Sequence, residues 1–274
     1  MKNTLYMLNS VTGIQMNSFI ITTSDQKVIV MDGGFDQDAE NMIQYLKDIT
    51  GQDIPHVDAW FLSHPHQDHI SCFLEIMEKY PNAIQVAQVI YNFPSIPFVA
   101  REERGCDPCM PRFFADLPLF ADKAVIVSLG DSFDIGEAHI DCLYSPNPEL
   151  IHNISNNASV VLMLTLAGQK ILFLGDAGEE EGDRMMVFYA GTDALKADYV
   201  QMAHHGQNGV KFDFYQAVSP KGCLWCTPKW LWDNDAGDGY NTYVFKTIVV
   251  QGWMADLGVS EHYIMMNGTQ VLDL

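Results

Sequence analysis

The feature that most constrains this chain is a cluster of metal-ligand side chains directly after a short apolar run. Residues 59–62 (Ala-Trp-Phe-Leu) are followed by Ser63-His64-Pro65-His66-Gln67-Asp68-His69. If the apolar run is a buried strand, the cluster lies in the loop after it. A loop lets the side chains converge, whereas residues within a strand alternate between opposite faces. Because neutral imidazole and carboxylate suit zinc, iron and manganese, the segment predicts a metal site, with a helix beginning near Ile70.

Composition and charge indicate an acidic globular protein. The chain has 274 residues, of which 48% are hydrophobic and 18% charged, and its formal net charge is -20. A surface of this charge repels phosphate backbones and anionic membranes. We therefore expect a small-molecule substrate, with an anionic compound as one option, rather than a nucleic acid or a membrane.

The sequence also bears on the compartment. No stretch approaches the ~20 apolar residues of a membrane span, and the first residues alternate like a strand instead of forming a signal-peptide block. We expect a cytoplasmic protein whose six scattered cysteines are reduced. Cys106 and Cys109 have the CxxC spacing of a redox or zinc pair, but no second CxxC accompanies them. A loop with two free thiols is the favoured interpretation.

The remaining pattern predicts strands and helices that alternate through both halves of the chain. The predicted strands are 1–10, 18–23, 27–32, 59–62, 83–91, 124–129, 139–144, 159–166, 169–174, 197–203 and 222–227. The predicted helices are 38–50, 70–80, 179–189, 212–218 and 242–254. A closing hairpin is predicted over 261–272, turning through Asn267-Gly268.

These elements favour one domain over residues 1–274 with an α/β (α+β) fold. Two sheets lie inside and helices outside, which makes a four-layer αββα sandwich. Residues 92–120 break the pattern with five prolines and five phenylalanines. We interpret them as an ordered insertion that overhangs the site, with a segment packed on the surface as the alternative.

Further apolar runs also end in ligand-type residues. Asp176 follows Ile-Leu-Phe-Leu-Gly, and His204 and His205 follow Val-Gln-Met-Ala. Strands that end in such residues at one edge would build a site on a rigid scaffold. Asp32, in Asp32-Gly33-Gly34, is a candidate to support a ligand, although it suits a turn cap nearly as well.

The order of these motifs resembles the metallo-β-lactamase superfamily of metal-dependent hydrolases. The motifs are His-x-His-x-Asp-His, the Asp of Leu174-Gly175-Asp176, and a His before Gly206. Within the superfamily the chain is most similar to the soluble hydrolase domain of bacterial DNA-uptake competence proteins and to phosphorylcholine esterases. That likeness rests on Leu129-Gly130-Asp131, on 156–162 (Asn-Asn-Ala-Ser-Val-Val-Leu), on 173–176 (Phe-Leu-Gly-Asp), and on 195–198 (Leu-Lys-Ala-Asp) leading into His204-His205-Gly206.

The resemblance implies two divalent metal ions. His64 and His66 would bind the first ion, and Asp68, His69 and His205 the second. Asp176 would bridge the two ions, and His204 is the alternative to His205. Zinc is the first expectation, with manganese and iron as alternatives.

The chain departs from the family pattern at one ligand. Many members carry a further His before the strand that follows the first motif. Here 155–158 read Ser-Asn-Asn-Ala, and His152 is nearby but offset. Either His152 or an Asn takes that place, or fewer protein groups hold the first ion.

A site of this kind predicts hydrolysis, because a bound divalent ion lowers the pKa of water to about 7. Asp68 would orient the nucleophile, and His204 would protonate the leaving group. The leading hypothesis is hydrolysis of a phosphoester or phosphodiester in a small substrate, as in the look-alikes. Hydrolysis of a lactone, thioester or β-lactam is the nearer alternative. A non-catalytic binding protein that retains the fold is the further one.

Overall fold

The computed structural model describes residues 1–150 and 152–274 and contains, within them, sixteen strands and eight α-helices. The strands are β1 (Thr4–Met7), β2 (Ser18–Thr22), β3 (Val28–Asp32), β4 (His56–Val57), β5 (Ala59–Leu62), β6 (Gln85–Val86), β7 (Val89–Tyr91), β8 (Ala124–Ile126), β9 (Ser132–Ile135), β10 (Ala138–Tyr144), β11 (Val161–Leu166), β12 (Gln169–Phe173), β13 (Tyr199–Gln201), β14 (Gly222–Trp225), β15 (Glu261–Ile264) and β16 (Gln270–Asp273). The helices are α1 (Ala39–Thr50), α2 (Gln67–Lys79), α3 (Ile96–Glu102), α4 (Cys109–Asp116), α5 (Glu179–Phe188), α6 (Phe212–Val218), α7 (Lys229–Trp232) and α8 (Thr247–Asp256).

Two seven-stranded sheets form the frame. Their orders are β16-β1-β2-β3-β5-β7-β8 and β15-β14-β13-β12-β11-β10-β9, and β4 and β6 form a separate short pair. In the first sheet β3, β5, β7 and β8 run parallel. In the second sheet β12, β13, β14 and β15 run parallel. Parallel neighbours end at the same edge, so the residues that follow them gather there.

The sheets pack face to face, with helices on both outer faces. Between the sheets, Phe19 on β2 meets Phe173 on β12 edge-on, with ring centroids 5.1 Å apart. On the outer face of the first sheet, Trp60 meets Phe73 of α2 at 5.2 Å. A second apolar cluster joins α5, α6 and α8 to the second sheet. The four-layer αββα prediction is confirmed.

The strands that approach the site are buried on both faces. Every residue of β2, β3 and β5 is buried, which explains why these strands read as continuous apolar runs rather than alternating ones. Helix α1 ends where Gly51 adopts the left-handed conformation, with φ 69°. These rigid elements deliver the site residues from a fixed frame.

The helix predicted near Ile70 begins earlier than expected. Helix α2 starts at Gln67, so Asp68 and His69 lie in its first turn rather than in a loop. The predicted start rested on the first apolar residue of the helical pattern, Ile70. The first turn of α2 is made of polar residues that face the site, so the apolar pattern does not include it.

Residues 92–120 are ordered, as predicted, but they are more helical than their sequence indicated. They contain α3 and α4, and Pro97 stands in the first turn of α3, where a missing N–H costs nothing. The ring of Phe120 lies 5.0 Å from that of Phe73 on α2, which joins the insertion to the main core. The single domain over 1–274 stays a prediction.

The closing hairpin prediction was wrong. Strand β15 pairs in parallel with β14, whereas β16 pairs antiparallel with β1. The turn at Asn267-Gly268 therefore carries the chain from one sheet to the other. Residues 265–267 form a 3-10 turn instead of a two-residue hairpin turn, and each strand has a distant partner that sequence spacing does not show.

Strand β9 and helix α7 were also missed, because both are only four residues long.

In the part of the chain that the structure describes, no helix is long and apolar enough to cross a bilayer.

Candidate metal centre

The predicted ligands come together because the strands that carry them end at one edge of the molecule. Asp32 ends β3 and His64 follows β5, its parallel neighbour. Asp176 follows β12, and His205 follows β13, again a parallel neighbour. The two facing sheets thus deliver side chains from both sides into one space.

Asp176 lies at the middle of this arrangement. Its Oδ1 is 3.1 Å from His69 Nε2. Its Oδ2 is 3.5 Å from His205 Nε2, 3.6 Å from His204 Nε2 and 3.7 Å from His64 Nε2. The carboxylate is buried, as are the rings of His64, His69 and His205. One carboxylate therefore contacts four imidazoles, which is the position of a bridging ligand.

Among the residues that the structure describes, two sets of three side chains have ligand atoms within 4.8 Å of one another. One set is His64, His69 and Asp176, and the other is Asp68, His69 and His205. His69 belongs to both sets, whereas the sequence assigned it to one ion only. His66 lies beside the first set, with Nδ1 3.0 Å from His64 Nε2.

The ligand atoms of the centre leave hydrogen bonds among themselves unmade but are of the types that coordinate a divalent metal ion. Within the described residues, His69 Nε2, Asp176 Oδ1 and both ring nitrogens of His205 are buried without a hydrogen-bond partner. His205 Nε2 is 3.2 Å from Asp68 Oδ2 but is not aligned for a hydrogen bond. Burying unpaired polar atoms is costly, and divalent cations coordinate these atom types. The orphaned atoms point to a metal centre.

Asp32 supports the centre from behind. It accepts hydrogen bonds from His69 Nδ1 at 2.7 Å, from Ser63 N and Oγ at 2.7 Å each, and from Asn17 Nδ2 at 2.8 Å. A carboxylate on Nδ1 directs Nε2 of the same ring at the centre. The supporting role suggested for Asp32 fits this geometry. Asn17 was missed, because a lone Asn before a strand carries no sequence signal.

In the metal-free centre, the buried groups differ in which of them carry charge. Burial holds the pKa of His64 well below its ordinary value. Burial also opposes protonation of His69, but Asp176 and Asp32 outweigh it and raise the pKa well above the ordinary value. Burial likewise disfavours an ionised Asp176, yet the surrounding imidazoles, His205 foremost, bring its pKa well below the usual range. The centre therefore holds ionised carboxylate beside protonated imidazole.

His204 and His205 have a strained backbone. Their φ values are 51° and 55°, in the left-handed region that non-glycine residues rarely adopt. A Cβ on Gly206 would stand 2.5 Å from the Trp225 ring, so glycine is required there. Thr227 Oγ1 donates to the His205 carbonyl at 2.6 Å. This turn presents both imidazoles to the centre, His205 buried and His204 one-fifth exposed.

The place of the missing family ligand is not taken by His152. That side chain is 80% exposed and pairs with Glu180 at 3.4 Å. Asn156 is the closer group, with Nδ2 3.5 Å from His204 Nε2 and a buried Oδ1 that has no partner in the described chain. Of the three options that the sequence left open, the geometry disfavours His152 and leaves an Asn or a smaller set of protein ligands.

A cleft of about 540 Å³ exposes the centre to solvent. It is lined by Thr12, Ile14, Gln15, Phe35, Gln37, His66, Gln67, Asp68, Asp107, Asp176 and His204. Asp107 belongs to the insertion, so residues 92–120 do reach the site. None of the lining residues in the described chain is Lys or Arg. The described lining therefore offers no Lys or Arg side chain to pair with an anion.

Known proteins resemble this chain in sequence and in fold. Residues 11–139 match the family model described as the metallo-beta-lactamase superfamily. Over 177 residues the chain is 25% identical to ComE operon protein 3 of Bacillus subtilis (strain 168). That match covers 64% of this chain and 20% of the relative, so the chain spans about a fifth of that protein.

Solved structures extend the likeness over the whole chain. CmlA, described as a diiron beta-hydroxylase from Streptomyces venezuelae, matches with a TM-score of 0.60 and 14% identity, covering 100% of this chain and 54% of that one. The metallo-beta-lactamase fold protein YhfI from Bacillus subtilis matches with a TM-score of 0.57 and 10% identity, covering 99% and 100%. At these identities the structures show the fold alone. The family model, the relative and the solved structures agree, so the chain has the metallo-β-lactamase fold and is similar in sequence to that superfamily over residues 11–139.

Proposed function

We propose that this protein is a metal-dependent hydrolase that acts on a phosphoester or phosphodiester of a small substrate. The observation that carries the proposal is the position of Asp176, whose carboxylate contacts four imidazoles at the floor of an open cleft. A carboxylate in this position suits two neighbouring ions.

The chain's residues divide between two metal positions. His64 and His66 would hold one ion, and Asp68, His69 and His205 would hold the other, with Asp176 lying between the two sets. His69 lies in both three-residue sets, and Asp32 on its Nδ1 directs its Nε2 at the centre. Zinc is our first expectation, because imidazole and carboxylate suit it, although manganese and iron accept the same ligands.

Bound divalent ions would supply a water of lowered pKa and would stabilise charge on the attacked group. Asp68 lines the cleft and would orient the attacking water. His204 lines the same cleft and is the one imidazole of the turn that reaches solvent. Its pKa lies below the ordinary value, mainly through burial. A lowered pKa disfavours the protonated ring, so general-acid catalysis by His204 would be strongest below neutral pH.

Two features favour a phosphoester of modest size. Paired metal positions stabilise both the attacking and the leaving oxygen of an in-line displacement at phosphorus. The net charge of -20 and the absence of Lys and Arg from the described cleft lining disfavour a long polyanion. The same nucleophile also attacks lactones, thioesters and β-lactams, so substrate class is the point to test.

The test is turnover of bis(p-nitrophenyl) phosphate by protein loaded with zinc, manganese or iron, beside p-nitrophenyl acetate and a chromogenic β-lactam. We expect the phosphodiester to be hydrolysed, and Asp176→Asn to abolish both turnover and metal retention. Asp134→Asn is the matched control, since Asp134 is an exposed carboxylate remote from the cleft. Turnover of the carboxylic ester or the lactam alone would overturn the phosphoester assignment. Bound metal with no turnover would favour a binding protein.

The role of His204 is tested separately. His204→Ala should lower kcat by about 100-fold or more, as expected for loss of a general acid, with metal content unchanged. Loss of one metal equivalent in the variant would instead make His204 a ligand.

A further inference from the structure

We infer that a second, apolar pocket beside the metal centre binds an aromatic or branched alkyl group of the substrate. The inference rests on the proposed function and narrows its substrate class. The pocket has a volume of about 330 Å³. Its apolar walls are Phe93, Pro94, Phe98, Pro146, Leu150 and Ile154.

The pocket lies between two segments that both leave the sheets at the edge of the metal centre. Leu62 pairs with Tyr91, so β5 and β7 end side by side, and the segments that lead to His64 and to Phe93 diverge from one edge. On the other wall, Tyr144 pairs with Val161 and Leu162 with Phe173. The loop between β10 and β11 therefore starts and ends at the edge that delivers Asp176.

One short turn connects the pocket to the centre directly. Residues 156–158 form a single turn of 3-10 helix, in which Asn157 and Ala158 line the pocket. The preceding residue, Asn156, is in contact with His204 Nε2, which lines the cleft. Asn156 thus stands between the cleft and the pocket, and the inference places the reacting group of the substrate in the cleft and its apolar substituent in the pocket.

The pocket walls are fixed rather than loose. Glu103, at the end of α3, accepts hydrogen bonds from Ser155 N at 2.8 Å and Ser155 Oγ at 2.7 Å. Val99, Met110 and Ile154 form a small apolar cluster beneath the pocket. The insertion and the β10–β11 loop are therefore joined into one wall, and the pocket does not depend on a ligand to form.

Two of the polar side chains that line the pocket, Asn92 and Asn157, already have hydrogen-bond partners. Asn92 Nδ2 donates to the Val127 carbonyl at 2.8 Å. Asn157 Oδ1 accepts from Gly178 N and Glu181 N, each at 3.1 Å, and its Nδ2 donates to the His152 carbonyl at 2.7 Å. Few polar atoms are left to bind a charged or hydroxylated group. A concave site of this kind selects apolar surface.

The experiment compares benzylphosphonate with methylphosphonate, two phosphonates that cannot be hydrolysed at the C–P bond. Each is titrated calorimetrically into the metal-loaded protein. We expect benzylphosphonate to bind at least about tenfold more tightly, the discrimination typical of an added apolar group in a pocket. Equal affinities would overturn the inference.

Substitutions at Phe98 test whether the preference for benzylphosphonate arises in this pocket. Phe98 is half-buried and lines the pocket, so Phe98→Ser should reduce the preference for the benzyl group to about threefold or less while leaving the affinity for methylphosphonate unchanged. Phe98→Leu should retain most of the preference. Phe188→Ser is the control, because Phe188 is 63% exposed on α5 and does not line the pocket. A preference that survives Phe98→Ser would also contradict the assignment.

The experiments can contradict the assignment of the apolar pocket and the phosphoester assignment independently of each other. If neither phosphonate binds, the proposed phosphoester specificity loses support, and the pocket is judged with benzyl alcohol alone. Chemical-shift changes confined to the Ile154 methyl groups and the Phe98 ring would then support an apolar site. Changes elsewhere, or none at all, would exclude it.

Discussion

His69 is held from both sides by carboxylates. Its Nδ1 is 2.7 Å from Asp32 Oδ2, and its Nε2 is 3.1 Å from Asp176 Oδ1. The ring is completely buried, so it cannot reorient toward solvent. Asp32, His69 and Asp176 therefore alternate carboxylate, imidazole and carboxylate. Each group orients its neighbour and influences whether that neighbour is charged.

Asp32→Asn should weaken metal binding by about 10- to 100-fold, the usual cost of losing a carboxylate behind a ligand. Asn tolerates the positive φ of 54° at this position, so the substitution removes charge with little backbone strain. Zinc affinity, measured by competition with a chromogenic chelator, checks it. Asp48→Asn, at an exposed carboxylate on α1, is the control. Unchanged affinity in Asp32→Asn would show that Asp32 serves only the turn.

Protons compete with metal at His205. Burial opposes protonation of this ring, but Asp176 and Asp68 raise its pKa to about 9 from an ordinary value of 6.5. In the metal-free protein its stabilising effect is complete below pH 6.5 and is lost as pH rises toward 9. Metal requires the neutral ring, so metal affinity should increase over the same interval.

The measurement for this prediction is thermal denaturation between pH 6.5 and about 9, with chelator and with zinc. The melting temperature of the chelated protein should decline across the interval, and the gain on adding zinc should grow. In His205→Gln both slopes should be smaller. A melting temperature of the chelated protein that rises with pH would contradict the prediction.

Among the elements, the insertion is anchored to the body by an ion-pair cluster around one side chain, in addition to the apolar contacts of Phe113 and Phe120. Arg112 on α4 is one-quarter exposed and contacts Asp36 at 2.7 Å, Glu75 at 3.1 Å and Glu78 at 2.8 Å. Glu78 has its pKa lowered to about 2, chiefly by its hydrogen bond to Arg112. Because α4 follows Asp107, which lines the cleft, this anchor also fixes one wall of the site.

Arg112→Met should lower the free energy of unfolding by about 1–3 kcal/mol, since hydrogen bonds between charged groups are lost while the aliphatic stem is kept. Urea denaturation measures the change, and limited proteolysis should show earlier cleavage within 92–120. Arg101→Met serves as the comparison, because Arg101 is 68% exposed. Similar stability losses in the two variants would mean that Arg112 is not an anchor.

Across the whole molecule, the last strand joins the ends of the chain. Strand β16 pairs with β1, with Leu272 opposite Leu5 and Val271 opposite Tyr6. Leu272 is 5% exposed and belongs to the core between the sheets, whereas Val271 is 51% exposed. The C-terminal residues therefore complete the sheet that carries Asp32 and His64.

Leu272→Ala should destabilise the protein by about 2–5 kcal/mol, the range for removing a buried leucine side chain. Val271→Ala, one residue away, should change stability by less than about 0.5 kcal/mol. Equilibrium unfolding in urea compares the two. Equal effects would show that β16 contributes little to the first sheet.

Much of the site could be predicted because its ligands sit where apolar runs end. That arrangement is local, so His64, Asp176 and His205 stand out without any coordinates. Elements with a single clear period were also predicted closely, including α6 at 212–218. The prolines of 92–120 concealed two helices, because a proline in a first turn does not interrupt a helix.

By itself the sequence determined the layer architecture, the family resemblance and which residues are candidates for the metal centre, since these follow from local pattern and motif order. Only the tertiary structure decided that His69 faces both aspartates, that Asn156 rather than His152 stands beside His204, and that β15 and β16 enter different sheets. These outcomes depend on which distant segments pack together. That packing sets the direction of each side chain and the partner of each strand, and neither can be predicted from residue spacing along the chain.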